Sequence, residues 1–546
     1  MKNKAWKRLV SLLIAGTMSV GCLAGCGSKE EKSTDKSSES KVESSTTEKQ
    51  EESSTSEEVV EEPAELTMWV EFTSTELTDM GEIEFLQQME ENANVNITYS
   101  HPAAGTAGEQ FNLKVASNKW EDMVEYQWTS YPGGTTQAIA DGVIIDIAPY
   151  MEEWAPNLTA YFEAHPSVLK QVIDEQGQIY GFPCIGDGSA AVTAGYSVRK
   201  DWLDQLNMDI PETIADWEEM LTAFKDELGA TKPFTITEGN LIKTNFLAGA
   251  WGIATTYYVE DGVVKYGYAE PAAKDFVATM ADWYQKGLID NEAFGSDDKV
   301  CRSNVLNDAS GAIFGFVASC IGTVMDSAAE SNPDLELVGV QYPVLNEGEI
   351  NKYIRRTAEV RTNGMVCITS ACENIEAAMR YLDQFYSEEG IIAKNFGVEG
   401  LTYEMVDGEP VYTDLIMNNP DGLNISDALN RYTQASTPHV GVIDARYYEQ
   451  YYVMEQQKDA FVLWNENSDA AIDFLYPSAS TTAEEAEELA SIVTPLETYI
   501  YEEVAKFITG ANSMDKWDDF VAQMEAMGLS RAIEIKQAAY DRYMAK

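Results

Sequence analysis

The alternation of apolar and polar positions predicts strands and helices in turn along most of the chain. Residues 66–70 and 95–99 alternate as half-buried strands do, and a helical stretch at residues 83–92 lies between them. A strand, a helix and a second strand in this order form the unit of a parallel sheet. The body of the chain is therefore predicted to begin with such a unit.

A downstream segment has the spacing of an amphipathic helix. Ile214, Trp217, Leu221 and Phe224 recur on one helical face, and Pro211 stands before them at the helix start. Helices are also predicted at residues 273–286, 374–387, 483–507 and 517–544, and strands at residues 312–316, 335–341 and 364–369. The whole pattern predicts the α/β fold class with additional helices toward the C-terminus.

The first residues have the pattern of a secretory signal peptide. Basic residues precede a short apolar run at residues 9–20, and a membrane-spanning helix needs about 20 apolar residues. The sequence Leu23-Ala24-Gly25-Cys26 follows and resembles the lipobox of bacterial lipoproteins. The resemblance implies a lipoprotein signal peptide at residues 1–25 and acyl chains such as palmitate on Cys26.

Residues 26–65 have the composition of a tether. After Cys26 they consist mainly of Ser, Thr, Glu and Lys, with few apolar side chains. Such a segment buries too little apolar surface to offset the entropy of ordering it. We therefore predict a disordered acidic tether between the lipid anchor and the body.

Composition sets limits on the partners of the body. The chain has a formal net charge of −54, so nucleic acids and anionic membrane surfaces are poor partners. The acidic balance also favours neutral ligands over uronates. Residues 66–546 are long enough for two domains.

Five cysteines follow Cys26 without any Cys-x-x-Cys spacing, which predicts free, mostly buried thiols and leaves one pairing among them open.

Several short strings in the body resemble a known family when they are taken together. They are IYGFP at residues 179–183, YSVRKDWL at 196–203, PET at 211–213 with DW at 216–217, DWYQKGLID at 282–290, and KFITG at 506–510 with Trp517. In this order and spacing they resemble extracellular solute-binding proteins of ABC importers. More narrowly, residues 66–546 resemble the LipO/LplA-like carbohydrate-binding lipoproteins of Gram-positive bacteria.

The resemblance implies a two-lobed fold of the periplasmic-binding-protein kind, similar to type II, with a hinge. The first lobe would contain residues 66–182 and about 368–440. The second would contain residues 183–360 and parts of 441–546, including the C-terminal helices. The chain would cross between the lobes near residues 181–188 and 360–367, and a ligand would bind in the cleft between them.

The function that the resemblance implies is capture of a solute outside the cell. The chain would be a monomeric receptor, anchored by its lipid to the extracellular face of the membrane of a Gram-positive bacterium. It would deliver an oligosaccharide to ABC permease subunits driven by an ATPase. A peptide receptor of the same fold is the alternative within this class, and a surface glycoside hydrolase or an adhesin is the alternative outside it.

Candidate ligand contacts follow from the chemistry of sugars, which stack on aromatic faces and exchange hydrogen bonds with planar polar groups. The candidates lie in predicted loops and at strand ends: Trp69, Glu71, Gln127, Trp128, Tyr196, Trp251, Phe316, Arg361 and Trp464. For the tryptophans the competing interpretation is packing in the core. Trp202, Trp217 and Trp283 lie on helical faces and are predicted to be core residues.

Catalytic and metal motifs are not found in the sequence. It has no Gly-x-Ser-x-Gly, His-Glu-x-x-His or phosphate-binding loop, and His101, His165 and His439 lack metal-ligand spacing. Some large relatives carry a calcium loop similar to an EF-hand, but residues 418–422 lack its alternating oxygen ligands. We predict no enzyme activity, no cofactor and no metal.

Overall fold

The computed structural model describes residues 62–546 except residues 73, 75, 175, 187, 189 and 190. The predictions for the signal peptide, for Cys26 and for most of the tether lie outside these residues. Within them, no helix combines the length and the apolar composition that crossing a membrane requires.

The described residues form fourteen strands, which we number in chain order. They are β1 Ala64–Trp69, β2 Val95–Ser100, β3 Met123–Glu125, β4 Phe182–Gly186, β5 Ala194–Arg199, β6 Phe234–Thr235, β7 Tyr257–Glu260, β8 Val263–Tyr266, β9 Ala312–Phe316, β10 Leu337–Val340, β11 Val360–Ile368, β12 Tyr403–Val406, β13 Glu409–Tyr412 and β14 Gly441–Ile443.

Twenty α-helices surround these strands in the described part of the chain. They are α1 Glu84–Ala93, α2 Ala107–Ser117, α3 Gly134–Ala140, α4 Met151–Trp154, α5 Pro156–Ala164, α6 Pro166–Val172, α7 Lys200–Leu206, α8 Ile214–Asp226, α9 Ala272–Gln285, α10 Asp298–Leu306, α11 Thr323–Ala328, α12 Ile375–Asp383, α13 Glu388–Phe396, α14 Asp414–Met417, α15 Ile425–Tyr432, α16 Arg446–Tyr451, α17 Glu455–Asn465, α18 Ala483–Thr509, α19 Trp517–Ala526 and α20 Leu529–Ala545.

Two mixed sheets organise the fold. The larger has six strands in the order β14-β4-β11-β3-β1-β2, and the smaller has four in the order β10-β5-β9-β6. In the larger sheet β1 pairs in parallel with both β2 and β3, whereas β11 runs antiparallel between β3 and β4. In the smaller sheet β5 is antiparallel to both of its neighbours. Mixed sheets of this kind are common in large α/β folds.

Each sheet has its own hydrophobic core. One core contains Leu66, Met68 and Val124 from the six-stranded sheet. The other contains Tyr196 and Ile313 from the four-stranded sheet, together with apolar residues of the three C-terminal helices α18, α19 and α20. The long helix α18 packs against both α9 and α20. The C-terminal helices thus belong to the core of the smaller sheet.

Most elements predicted from periodicity are confirmed, and one prediction is wrong. The parallel β1-α1-β2 unit is present, and α8 begins with a capping box between Thr213 and Asp216. The single helix predicted at residues 517–544 is two helices, α19 and α20. Gly528 separates them because its φ of 102° cannot continue a right-handed helix.

The prediction of free cysteines is confirmed for the five thiols of the body. All five are buried and unpaired: Cys184, Cys301, Cys320, Cys367 and Cys372. The pairing that the sequence left open is therefore not formed.

Candidate ligand-binding cleft

Between the described elements, three chain segments connect the two sheets. Residues 187–193 lead from β4 to β5, and residues 341–359 lead from β10 back to β11. The third segment, residues 444–454, leads from β14 to α17, which packs on β10. Ligand sites occur preferentially where such units meet.

A cavity of about 650 Å³ lies at these connections, and we call it the arginine compartment. All three connections contribute to its wall, through Thr193, through Arg355 and through Tyr447. Many lining residues carry a hydroxyl or amide group: Thr193, Ser319, Thr357, Thr362, Asn363, Ser426, Asn430, Ser436, Thr437 and Ser478. The volume is in the range of about 300–1,000 Å³ that is usual for ligand pockets.

An irregular part of β11 shapes one wall of the arginine compartment. Arg361 pairs with Cys184 of β4, and the register shifts before Val366 pairs with Phe182. Irregularities of this kind bend a strand and re-aim its side chains, and they are frequent beside functional sites. Gly364 is required within this stretch because a Cβ atom there would lie 1.8 Å from the carbonyl oxygen of Pro438.

Aromatic rings form another part of the wall of the arginine compartment. Phe316, at the end of β9, is 38% exposed, and the guanidinium of Arg355 lies 4.5 Å from the centre of its ring. The other rings belong to a tyrosine cluster on and after α16: Tyr447, Tyr448, Tyr451 and Tyr452. Of these, Tyr451 is less deeply buried than the other three. Such rings combine an apolar face with a polar hydroxyl group.

A second cavity, of about 670 Å³, continues from the first, and we call it the lysine compartment. Both cavities are lined by Thr362 and Ser478, so they are adjacent, and we call the two together the cleft. In the lysine compartment the ammonium of Lys536 lies 4.8 Å from the ring centres of both Tyr257 and Tyr476. Burial lowers the pKa of Lys536. Glu497 also lines this compartment, and its charge acts on Lys536 in the opposite direction. The cleft therefore offers aromatic faces in both compartments, with two arginines in the first and a lysine beside a glutamate in the second.

The thiols beside the cleft are not activated nucleophiles. Cys301 and Cys320 line a small cavity next to Phe316 and Arg355. Burial raises the pKa of Cys301 to about 11 and that of Cys320 to about 12. Both thiols are therefore neutral at physiological pH, whereas nucleophilic catalysis uses a thiolate.

The three histidines are held by structural contacts away from the cleft. His101 hydrogen-bonds through Nδ1 to the carbonyl of Val70, and its Nε2 accepts from the backbone N–H of Met80. His165 stacks on Tyr161. His439 is buried, and its Nδ1 lies 2.6 Å from a carboxylate oxygen of Glu125. None of the three lines either compartment.

Two of the ligand contacts predicted from the sequence line the arginine compartment. These are Phe316 and Arg361. Glu71 and Gln127 are exposed after β1 and β3, and Trp251 is half-buried against Phe276. None of these last three residues lines either compartment.

The remaining predicted contacts are buried in the cores. Trp69 and Trp128 belong to the core of the six-stranded sheet, and Tyr196 and Trp464 to the core of the four-stranded sheet. Trp464 packs so closely over β5 that a Cβ atom on Gly195 would lie 2.4 Å from its ring. Its indole N–H donates to the carbonyl of Val340. For these four residues we therefore adopt the competing interpretation of core packing.

The sequence analysis missed Arg355 and the tyrosine cluster. Arg355 lies in a connection without periodicity, so no pattern marked it. The tyrosines had a usable signal, because residues four apart lie on the same side of a helix, as Tyr447 and Tyr451 do. The run Arg446-Tyr447-Tyr448 also stands directly after the short strand β14.

Two mixed sheets with separate cores, joined by three connections around a cleft, define the two-lobed α/β fold of solute-binding proteins. The particular proteins that the chain resembles support this assignment. It is 26% identical to the fructooligosaccharide ABC transporter substrate-binding protein FusA of Streptococcus pneumoniae, over 100% of this chain and 99% of that protein. It is 26% identical to the lipoprotein LipO of Bacillus subtilis, over 69% of this chain and 72% of LipO.

A solved structure gives the same result for the fold. FusA of S. pneumoniae in complex with kestose has a TM-score of 0.69 and 24% identity to this chain, covering 88% of this chain and 99% of that one. No protein-family model matches the sequence. These comparisons confirm the predicted fold and the resemblance to extracellular solute-binding proteins. FusA is named as a substrate-binding protein rather than an enzyme, in agreement with the prediction against catalysis.

Proposed function

We propose that the protein is a receptor of an ABC importer that captures an oligosaccharide in the cleft between the two sheets. The cleft carries this proposal: its wall combines aromatic rings with many hydroxyl and amide groups. Rings stack on the apolar faces of sugars, and the polar groups exchange hydrogen bonds with sugar hydroxyls. A similar protein that covers the whole chain, FusA, is named as a fructooligosaccharide-binding protein.

We infer that each sheet with its core is one lobe and that the three connections act as the hinge. A ligand that contacts both lobes favours the closed state by its additional affinity for that state. Strand β14 pairs with β4, so residues 441–443 go with the first lobe, just beyond the predicted boundary at about residue 440. Strands β4 and β11 belong to the same sheet, so residues 183–186 and 360–367 also go with the first lobe in this assignment, beyond the boundaries predicted from the sequence.

We also propose that Cys26 carries the lipid anchor and that the permease subunits receive the sugar at the extracellular face of the membrane. Growth with labelled palmitate should label the wild-type protein. A Cys26→Ala variant should lose the label and appear in the medium. Equal labelling of both proteins would contradict anchoring at Cys26.

Binding itself is tested by thermal shift of the purified protein with oligosaccharides, monosaccharides and short peptides. A ligand at one hundred times its Kd adds about 2.7 kcal/mol to the free energy of unfolding, which gives a clear shift. We expect stabilisation by an oligosaccharide. Stabilisation by peptides alone would replace the sugar with a peptide as the solute, and release of shortened glycan would indicate a hydrolase.

A further inference from the structure

Among the residues that the structure describes, the wall of the arginine compartment carries two cations and no carboxylate. Arg355 and Arg361 both line it, and none of the lining residues is Asp or Glu. The chain as a whole has 91 acidic residues against 37 Lys and Arg. The sign of the charge in this compartment is therefore opposite to that of the protein.

Neither arginine forms an ion pair with a described carboxylate, although the charge of Asp298 acts on Arg355 from a greater distance. Within the described residues, no carboxylate lies within the 4.0 Å of an ion pair from Arg355 or Arg361. Asp298 lines the small neighbouring cavity together with Arg355 and Arg302. Arg361 lies within reach of the Tyr448 hydroxyl, but its Nε is buried without a hydrogen-bond partner.

Two cations in a shared cavity are costly for a fold when no ion pair offsets the loss of water around them. Burial removes water from a guanidinium, and an arginine cannot shed its proton to avoid the cost. The arrangement is consistent with a bound group that supplies the missing negative charge. A guanidinium presents its N–H donors in a planar fork that matches a carboxylate or a sulfate in two hydrogen bonds.

We propose that the arginine compartment binds an anionic group of the oligosaccharide, a uronate carboxylate or a sulfate ester, through Arg361 and Arg355. This inference rests on the proposed function. It reverses the expectation of neutral ligands that the overall charge suggested. Charges more than about 10 Å away are largely screened at 0.1 M salt, so the two nearby arginines decide the potential at the bound group.

The sharpest test removes the charge from the ligand and leaves the protein unchanged. Calorimetric titration would compare trigalacturonate with its methyl ester, and a chondroitin sulfate oligosaccharide with its desulfated form. We expect at least one charged ligand to bind about tenfold or more tighter than its neutral partner, with a Kd that rises with salt. The preferred pair identifies the anionic group as a carboxylate or a sulfate.

Substitutions then assign the effect to the arginines. Arg361→Gln and Arg355→Gln should each remove most of the difference between the charged and neutral ligands. Arg531→Gln makes the same change of charge on an exposed residue and should leave the difference intact. Unfolding curves check that each variant is folded. If Arg361→Gln does not fold, the comparison of charged and neutral ligands on the wild-type protein still tests the proposal.

The outcomes separate this inference from the proposed function. Equal or tighter binding of neutral oligosaccharides would overturn the anionic ligand and leave the sugar receptor standing. A charge preference that survives both arginine substitutions would overturn the assigned site. If no glycan of either kind binds, both proposals fall.

Discussion

The two ends of the four-stranded sheet carry similar contacts between an arginine and an aromatic ring. At the end of β5 the guanidinium of Arg199 lies 4.6 Å from the ring centre of Trp202. At the opposite end, beside the cleft, Arg355 lies 4.5 Å from the ring centre of Phe316. Trp202 is 7% exposed, whereas Phe316 is 38% exposed. The geometry is nearly the same, but the surroundings are not.

The difference lies in the carboxylates. Arg199 donates two hydrogen bonds to Asp201, at 2.8 and 2.6 Å, and a third to Asp308 at 2.7 Å. Arg355 forms no ion pair with any described residue. The first end is neutralised by the protein itself and contributes to the fold. At the second end the charge of Arg355 has no ion-pair partner among the described residues, and Arg355 lines a cavity, as expected of a binding site.

The largest expected effect is on stability at the paired end. Arg199→Gln should lower the free energy of unfolding by about 3 kcal/mol, because it removes a buried cation from two carboxylates. Breaking a buried ion pair usually costs about 3–5 kcal/mol. The loss here should lie at the lower end, because Asp308 is exposed and can regain water. Denaturation by urea would measure the loss.

The matched change at the other end is Arg355→Gln. It should cost less than about 1 kcal/mol, because Arg355 loses a contact with one ring and no ion pair. Equal losses of stability for the two variants would show that both arginines stabilise the fold, and would contradict the proposed difference between the two ends.

A buried lysine extends the comparison to a cation whose charge depends on pH. Lys394, in α13, is fully buried, and its ammonium donates to the carbonyl of Gln434. Burial lowers its pKa to about 8, although Cys184 and Glu125 act in the opposite direction. Unlike an arginine, this residue can lose its proton, so an unpaired buried lysine does not require a ligand.

The expected sign follows from proton binding. The unfolded chain holds the Lys394 proton up to a higher pH than the folded protein does, so this residue makes stability rise with pH above about 8. Between pH 8 and pH 10 the gain should be about 2 kcal/mol. Lys394→Met should lack this gain, as measured by urea denaturation across that range. If stability changed with pH in parallel for the two proteins, Lys394 would have the same charge in the folded and in the unfolded state across this range.

The exposed ring of the cleft should matter for binding rather than for stability. Phe316→Ala should raise the Kd for the bound oligosaccharide about tenfold, or about 1.4 kcal/mol, because a stacking face is lost. Its effect on unfolding should be small, since the ring is already partly in water. Val462→Ala removes an exposed apolar side chain outside the cleft and serves as the control. An unchanged Kd for Phe316→Ala would remove this ring from the site.

The fold was largely predictable from sequence, whereas the site was predictable only in part. Period-two and helical patterns located elements such as β9 and α8, because one face of each is buried against a continuous core. Trp464 was predicted for the cleft but lies in the core, because α17 packs on β10. Such packing depends on residues more than one hundred positions apart along the chain.

The charge of the arginine compartment could not have been predicted at all. With acidic residues spread along the sequence, no local pattern shows that none of the described ones lines this compartment. The exclusion arises where three connections meet, and Arg355 and Arg361 are brought there by the fold. The overall charge pointed to the opposite conclusion about the ligand, since it averages over a surface that the ligand does not contact.

The smallest expected effect tests whether burial is what distinguishes the paired end. Arg531 donates two hydrogen bonds of 2.8 Å to Glu488 and also pairs with Glu534, so it has two carboxylate partners as Arg199 does. Its side chain is 49% exposed, however, against 2% for Arg199. Because water solvates exposed ion pairs and salt screens them, Arg531→Gln should change the free energy of unfolding far less than Arg199→Gln does. A loss close to that of Arg199→Gln would mean that the number of carboxylate partners, rather than burial, sets how much an arginine stabilises this protein. Arg355 and Arg361, which form no ion pair with described residues, would then be expected to contribute least to stability whether they are buried or exposed.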